Sequence, residues 1–290
     1  MPPKKSKSIV KEFLHNSNSL KILSFDVGIK NLSFCYSEIS LQEGTEKYNI
    51  QIKDWGIIDL TIPVQNLSEP WSSYILSHYE KMKKDELEKL CQNIDLIPGK
   101  NCTDTKKKLT QYITSQGILL PNPKTAKNIE NIAPIMFHRL DQYSFISEIE
   151  MVLIENQPCL RNPTMKSVQM LLYSYFTLRR IVDSPQKKIT IFMVSANNKT
   201  KWSQKNLPTV KDLDTEFSNV EKKKVSAGKK YRDTKNITIK MVNYWFNNKT
   251  NYFKEWYLFF QNHSKKDDLA DSFLQICGFL DSRFKEQFDI

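Results

Sequence analysis

The chain has 290 residues, 40% of them hydrophobic and 26% charged, and its 43 Lys and Arg against 32 Asp and Glu give a formal net charge of +11 and a pI near 9.2. Such a length and composition belong to a globular chain that can bury a substantial core as one large domain or two smaller ones, and no apolar run reaches the roughly 18 residues of a membrane-crossing helix. The basic balance points toward a polyanionic partner, although charge alone does not separate nucleic-acid binding from a solvated basic surface.

Met1 to Lys11 is lysine-rich and lacks both the apolar segment of a secretory signal and the arginine of a mitochondrial transit peptide. Residues 1–19 read as a flexible basic tail. Cys35, Cys91, Cys102, Cys159 and Cys277 are scattered with no close pair, which argues against a disulfide framework and against zinc. The expectation is an intracellular, reducing location, in which triplets such as Asn31-Leu32-Ser33 and Asn236-Ile237-Thr238 are compositional.

Lys21 to Gly28 is an apolar run closed by glycine and predicts a buried strand. Asn31 to Ile39 and Asn49 to Leu60 predict two more, and the short connections suggest an antiparallel meander. From about Trp71 to Ile118 the chain becomes lysine-rich with helical spacing, broken by the turn signal Ile97-Pro98-Gly99-Lys100. A helix is expected over Ile129 to Glu148, with Pro134 in its first turn. Glu150 to Glu155 is a near-continuous apolar strand of central character. Thr164 to Val182 predicts a long helix and Lys188 to Val194 a fifth strand. Residues 195–240 are polar and strongly basic and read in part as a mobile loop. Helices follow at Ile237 to Trp245, Tyr252 to Phe260 and Lys266 to about Phe284. The order predicts an α/β domain over residues 20–290, a mixed five-stranded sheet flanked by helices, with a helical insertion at 71–118.

Three acidic features carry possible chemistry. Asp26 ends the first apolar strand just before Gly28, where an aspartate is commonly a turn former. Glu155 ends the central strand, a place where a charge needs a partner. Asp267, Asp268 and Asp271 open the final helix; the helix dipole explains acids there, yet Asp268 and Asp271 also share one face. Brought together, such carboxylates repel unless they bind cations, and an all-oxygen set suits Mg2+ or Mn2+. Two such ions can activate water and stabilise the leaving oxygen of a phosphodiester.

Phe25-Asp26-Val27-Gly28-Ile29-Lys30-Asn31, then Ile154-Glu155-Asn156-Gln157-Pro158 with Arg161-Asn162-Pro163 and Met165, then Lys265 to Asp271 resemble the RuvC-like Holliday junction resolvases, in particular their fungal mitochondrial and poxvirus branches and those of other large DNA viruses. The likeness covers about residues 20–60 and 148–283. It implies an RNase H-like fold and a homodimer that cuts opposed strands of a four-way DNA junction to leave 5′-phosphate ends, with Mg2+ or Mn2+, two ions per site, as cofactor.

It maps the catalytic, metal-binding acids onto Asp26, Glu155, Asp268 and Asp271, leaving Asp267 as a helix cap. Basic residues near such a site include Lys230, Lys235 or Lys266. DNA contacts are expected from Lys30, Arg161, Lys199, Lys201, Lys229, Lys230, Arg232, Lys235, Lys265 and Lys266. The helix from Thr164 should offer Met165, Val168, Leu172, Tyr175 and Leu178 or Arg179 to a dimer partner. Met82 to Ile113 faintly resembles the two-helix SAP motif, with Asp95 where glycine is usual. No membrane association and no small-molecule cofactor are expected. The alternatives are cleavage of RNA–DNA hybrid, as in ribonuclease H, and non-catalytic DNA binding by the same fold. The Glu155 to Met165 stretch favours a resolvase over those ribonucleases. Four retained acids count against a pure binder, which gains nothing from negative charge facing phosphates.

Overall fold

The computed structural model describes residues 19–41, 48–62, 75, 79–116, 118, 128–160, 162–183, 189–206, 227–248 and 250–284. The expected flexible tail lies almost wholly outside them. Five strands form one mixed sheet: β1 (Ser19–Asp26), β2 (Leu32–Leu41), β3 (Tyr48–Ile58), β4 (Met151–Glu155) and β5 (Thr190–Val194). Their order is β3-β2-β1-β4-β5, with β1, β2 and β3 antiparallel and β4 parallel to both β1 and β5. This is the mixed five-stranded, helix-flanked sheet that the sequence predicts. The meander follows from the short connections. Parallel β4 and β5 instead need a long crossover, which α4 (Pro163–Val182) supplies.

Eight α-helices lie among the described residues. Besides α4 they are α1 (Lys84–Gln92), α2 (Cys102–Ser115), α3 (Ile129–Asp141), α5 (Ala196–Asn206), α6 (Ala227–Asn248), α7 (Thr250–Asn262) and α8 (Lys266–Phe284). The chain divides into two compact units, one of Met1–Ile58 with Ser144–Ile290 and the other of Asp59–Tyr143. Among the described residues no helix is long and apolar enough to cross a membrane.

In the first unit strand alternation assigns each side chain to a face. Leu20 and Ile22 of β1, with Met151 and Leu153 of β4, join the core built with Trp202 of α5, Met241 and Phe246 of α6, Phe260 of α7, and Leu269, Phe273 and Cys277 of α8. Trp55 of β3 stacks on Phe260 with ring centroids 5.4 Å apart, and its indole N–H donates to the Leu269 carbonyl at 3.1 Å. On the opposite face Phe25 meets Phe176 of α4 at 5.7 Å. Helix α4 starts where its residues dictate: Asn162 caps it, its side-chain oxygen accepting from the Met165 N–H at 3.2 Å, and Pro163 follows at the first helical position.

Three expectations change. Within residues 195–240, read in part as loop, Ala196–Asn206 forms α5, and α6 begins at Ala227, well ahead of the expected Ile237. Pro134 lies inside α3, not in its first turn. The turn ahead of it stays helical because Ile132 is buried on the same stripe as Met136 and Leu140, which offsets the hydrogen bond that proline removes. Of the α4 residues assigned to a dimer partner, Val168, Leu172 and Tyr175 pack inside their own unit, because that stripe meets the sheet, while Leu178 is exposed.

The second unit has its own core of Tyr79, Leu87, Leu90, Cys91, Leu109 and Ile113. After α1 the chain reverses at Asp95, whose φ is +52°. This left-handed turn lets the Leu96 N–H reach back to the Cys91 carbonyl at 2.9 Å and brings Leu96 against the core. Such backbone favours glycine and tolerates aspartate, but a β-branched side chain clashes with it. Asp95→Val should therefore destabilise this unit by about 1 kcal/mol or more, while Asp95→Gly matches or exceeds the parent. Urea midpoints of the two variants check the order; equal stability of both would remove the backbone constraint.

Candidate active site

The pleat that builds the core also delivers the acids. Leu20, Ile22, Ser24 and Asp26 alternate onto one face of β1, as do Met151, Leu153 and Glu155 on β4. The parallel register pairs Phe25 with Ile154, so its next step sets Asp26 beside Glu155 at the C-terminal ends of both strands. A slip by one residue would turn one of the two acids to the other face. β1 ends here because Gly28 makes the turn into β2. A Cβ on Gly28 would lie 2.2 Å from the Asn31 carbonyl oxygen, so only glycine lets the chain close so tightly.

Helix α8 completes the set. Trp55 and the Ser33 hydroxyl hold its first turn through the Leu269 and Asp268 carbonyls, the latter at 2.6 Å. One turn past Asp271, the buried Gln275 amide nitrogen lies 3.0 Å from Ser24 Oγ, 3.2 Å from the Phe25 carbonyl and 3.3 Å from the Leu153 carbonyl. Those bonds pin α8 to the two strands that carry Asp26 and Glu155. Asp268, three residues before Asp271, shares its helix face. Asp267 lies within the first turn, past the expected cap position, where its charge meets the positive end of the helix dipole.

At the centre of the acids stands a residue expected elsewhere. Lys199 of α5, expected to face DNA, turns inward and is 6% exposed. Its ammonium lies 2.7 Å from Asp271 Oδ2, 3.1 Å from Asp26 Oδ1 and 3.5 Å from Glu155 Oε2. Burial opposes the lysine's charge, but Asp26, Asp271 and Glu155 outweigh it and raise the proton affinity of Lys199 above the usual value. Burial, then the hydrogen bond and charge of Asp26, push the Glu155 carboxyl up to about 9 against the pull of Lys199. The lysine's contact with Glu155 is the longest of its three.

The signal that could have found Lys199 is its spacing. Lys199, Trp202 and Ser203 are buried at i, i+3 and i+4 of α5. The Ser203 hydroxyl donates to the Lys199 carbonyl at 2.8 Å, and Trp202 sets its ring 4.4 Å from that of Trp245. A single tryptophan in a polar stretch is little periodicity to read.

Of the other basic residues, Lys30 lies exposed in the turn after β1, Lys201 exposed on α5, and Lys265 exposed with Lys266 half-buried where α8 begins. Lys30, Lys265 and Lys266 adjoin the acids along the chain, and Lys201 lies two residues from Lys199. Lys229, Lys230, Arg232 and Lys235 belong to α6, but their side chains lie outside the described residues, as does Arg161 entirely. The segment after β4 is held by α4: the Lys166 ammonium donates to Asn156 Oδ1 at 3.0 Å, and the Gln157 N–H to Gln169 Oε1 at 2.8 Å.

The acids suit a hard divalent cation. They offer only oxygen, and three of them already converge on one cationic centre, the ammonium of Lys199 standing in for an ion. Among the described residues no group of three or more His, Cys, Asp or Glu is placed to hold a metal ion; the Lys199 ammonium lies between the three acids.

No family model matches the sequence. The chain is 26% identical over 321 aligned residues to "Uncharacterized protein L451" of Acanthamoeba polyphaga mimivirus, covering 88% of this chain and 73% of that protein. Among solved structures, the yeast mitochondrial Holliday junction resolvase Ydc2 aligns at 15% identity with a TM-score of 0.43, covering 94% of this chain and 85% of that one.

The turn at Gly28 makes a direct prediction. Gly28→Ala forces a methyl into the Asn31 carbonyl and should cost about 1–3 kcal/mol, the usual range for overpacking against atoms that cannot yield. Chemical denaturation reads this, and an unchanged midpoint would mean that the turn has room to open.

Proposed function

We propose that the chain is a divalent-metal-dependent endonuclease that cuts four-way DNA junctions. The observation that carries this reading is the convergence of Asp26, Glu155 and Asp271 from two strand ends and a helix onto one buried cationic centre, in a chain of net charge +11. Acids so crowded stabilise nothing unless they hold a cation, and a basic protein that carries them is suited to a phosphodiester substrate. The resolvase motifs around each acid narrow the substrate from nucleic acid in general to branched DNA.

In this reading Asp26, Glu155, Asp268 and Asp271 hold Mg2+ or Mn2+, which when bound supplies an activated water and neutralises charge on the phosphate. The remaining work falls to the chain. Asp26 and Glu155 are aligned by the β1–β4 register, so their oxygens need little reorganisation. Gln275 fixes α8 and with it Asp271. The exposed Lys30 and Lys265 steer the phosphate backbone toward the strand ends without reading sequence.

Cleavage of a labelled four-way junction, a linear duplex and an RNA–DNA hybrid, each with magnesium and with chelator, tests the proposal. Magnesium-dependent cutting of the junction is expected. Cutting of the hybrid alone would make the protein a ribonuclease, and binding without cutting would make it a DNA-binding module. Asp26→Asn and Asp271→Asn should each lower cleavage on the order of a hundredfold or more. Junction binding should persist, since losing an acid lessens repulsion of phosphates. Full cleavage by either variant would remove that residue from the site.

A homodimer belongs to the same proposal, because two sites must sit across the two-fold axis of a junction. Its support is the outer side of α4, which exposes Met170, Tyr173, Leu178, Ile181 and Val182; apolar groups gathered on one exposed face can mark an interface. Light scattering should give a dimer mass, and Tyr173→Glu with Ile181→Glu should give a monomer that binds junctions but cuts them poorly. A monomeric parent, free and on DNA, would remove the dimer.

A further inference from the structure

Helix α5 meets α8 backbone to backbone at Gly278. A Cβ there would lie 2.8 Å from the Asn198 carbonyl oxygen, 2.9 Å from its carbon and 3.0 Å from the Lys199 nitrogen. Trp202 packs edge-on against Trp245 of α6 and holds the helix at a second point. The backbone of Lys199 is thereby fixed, while its side chain remains a four-carbon stem with a charge at its tip. That charge offsets only one of the carboxylates around it.

An ammonium and a divalent ion cannot share these oxygens without strong mutual repulsion in a site shielded from water. Fixed main chain and movable tip together make the lysine the part that yields.

We propose that Lys199 is the resident counterion of the acid cluster, holding Asp26, Glu155 and Asp271 together in the metal-free protein and withdrawing its ammonium when a divalent ion occupies them. The inference rests on the nuclease reading in one respect only, that the acids bind such an ion. Lys199 then sets the metal concentration at which the site fills. Removing its charge leaves the acids repelling one another, so the metal-free fold weakens while the ion binds more tightly.

Mn2+ titration followed by the electron paramagnetic resonance of the free ion tests this on the full chain. Lys199→Met should bind Mn2+ at least about tenfold more tightly than the parent, a change of about 1.4 kcal/mol. Its Tm should be lower without metal and rise further with it. Lys201→Met, which removes an exposed charge two residues away on the same helix, should bind like the parent.

A measurement on the unaltered protein stands beside the variants. Acetylation of Lys199 by an amine-reactive ester, quantified by mass spectrometry, should be slow without metal and several-fold faster with Mg2+, whereas Lys201 reacts alike in both. Equal or weaker Mn2+ binding by Lys199→Met, the same gain in Lys201→Met, or a Lys199 acetylation rate that ignores Mg2+ in a protein that binds it, would each overturn the counterion role and leave the nuclease reading standing. Absence of Mn2+ binding by parent and variants alike would overturn the metal reading, and the inference with it.

Discussion

The parallel pairing of β1 with β4 decides most of what this molecule is. The two strands lie well over a hundred residues apart in sequence, and no local signal says that they touch. Yet their pairing fixes the sheet order, creates the central core of Ile22, Met151 and Leu153, and sets two carboxylates abreast where the strands end. The alternation that buries apolar side chains is the same one that turns Asp26 and Glu155 to the α8 side, so the acids inherit their precision from the packing. Gln275 reads this pairing directly, with its amide nitrogen in reach of both strands at once.

Against that order stands a cost. Burying Lys199 with three acids removes an ammonium and a cluster of carboxyl groups from water, and such clusters commonly contribute less to stability than apolar residues of the same volume. The Gln275 side-chain oxygen is buried without a hydrogen-bond partner, a second polar expense in the same place. Both sit where the strands and α8 converge, and both are easier to understand as fittings of a site than as means of folding. The surrounding aromatic core, Trp55 against Phe260 and Phe246 against Phe273, supplies rigidity that the polar cluster does not.

Much of this was legible beforehand, for reasons that can be named. Strands with continuous apolar runs ending in Gly28 or in Glu155 announce themselves, as does α8, whose buried positions recur over 19 residues. That Asp26, Glu155 and Asp271 could meet was legible because charges at the ends of apolar strands and at one helix start are unusual together. Helix α5 was not, since its polar composition hides a buried face of Lys199, Trp202 and Ser203. The inward turn of Lys199 depends on contacts with residues at positions 26, 155 and 271, which no local pattern encodes. Helix α4 misled differently: its periodicity was clear, but an amphipathic helix does not say whether its apolar stripe meets its own sheet or another chain. Its sheet takes Val168, Leu172 and Tyr175, and what remains outside is a second apolar face that periodicity alone could not separate.

The wide spacing of the site's parts along the chain bears on how the protein is made. A ribosome delivers the N-terminal strands first, at about 5–20 residues per second. Asp26 is therefore synthesised long before Lys199 and Asp271 exist to complete its surroundings. β1 cannot pair with β4 until all the chain between them has emerged, and the Trp55 indole waits longer still for the Leu269 carbonyl it will bind. Contacts that span so much sequence form slowly, and the face of the sheet awaiting α8 stays apolar and uncovered meanwhile. The nascent chain thus passes through a stage with a meander and no closing helix, when it is most open to aggregation and has no assembled acid cluster. Whatever the cluster does, it begins only once α8 has been made.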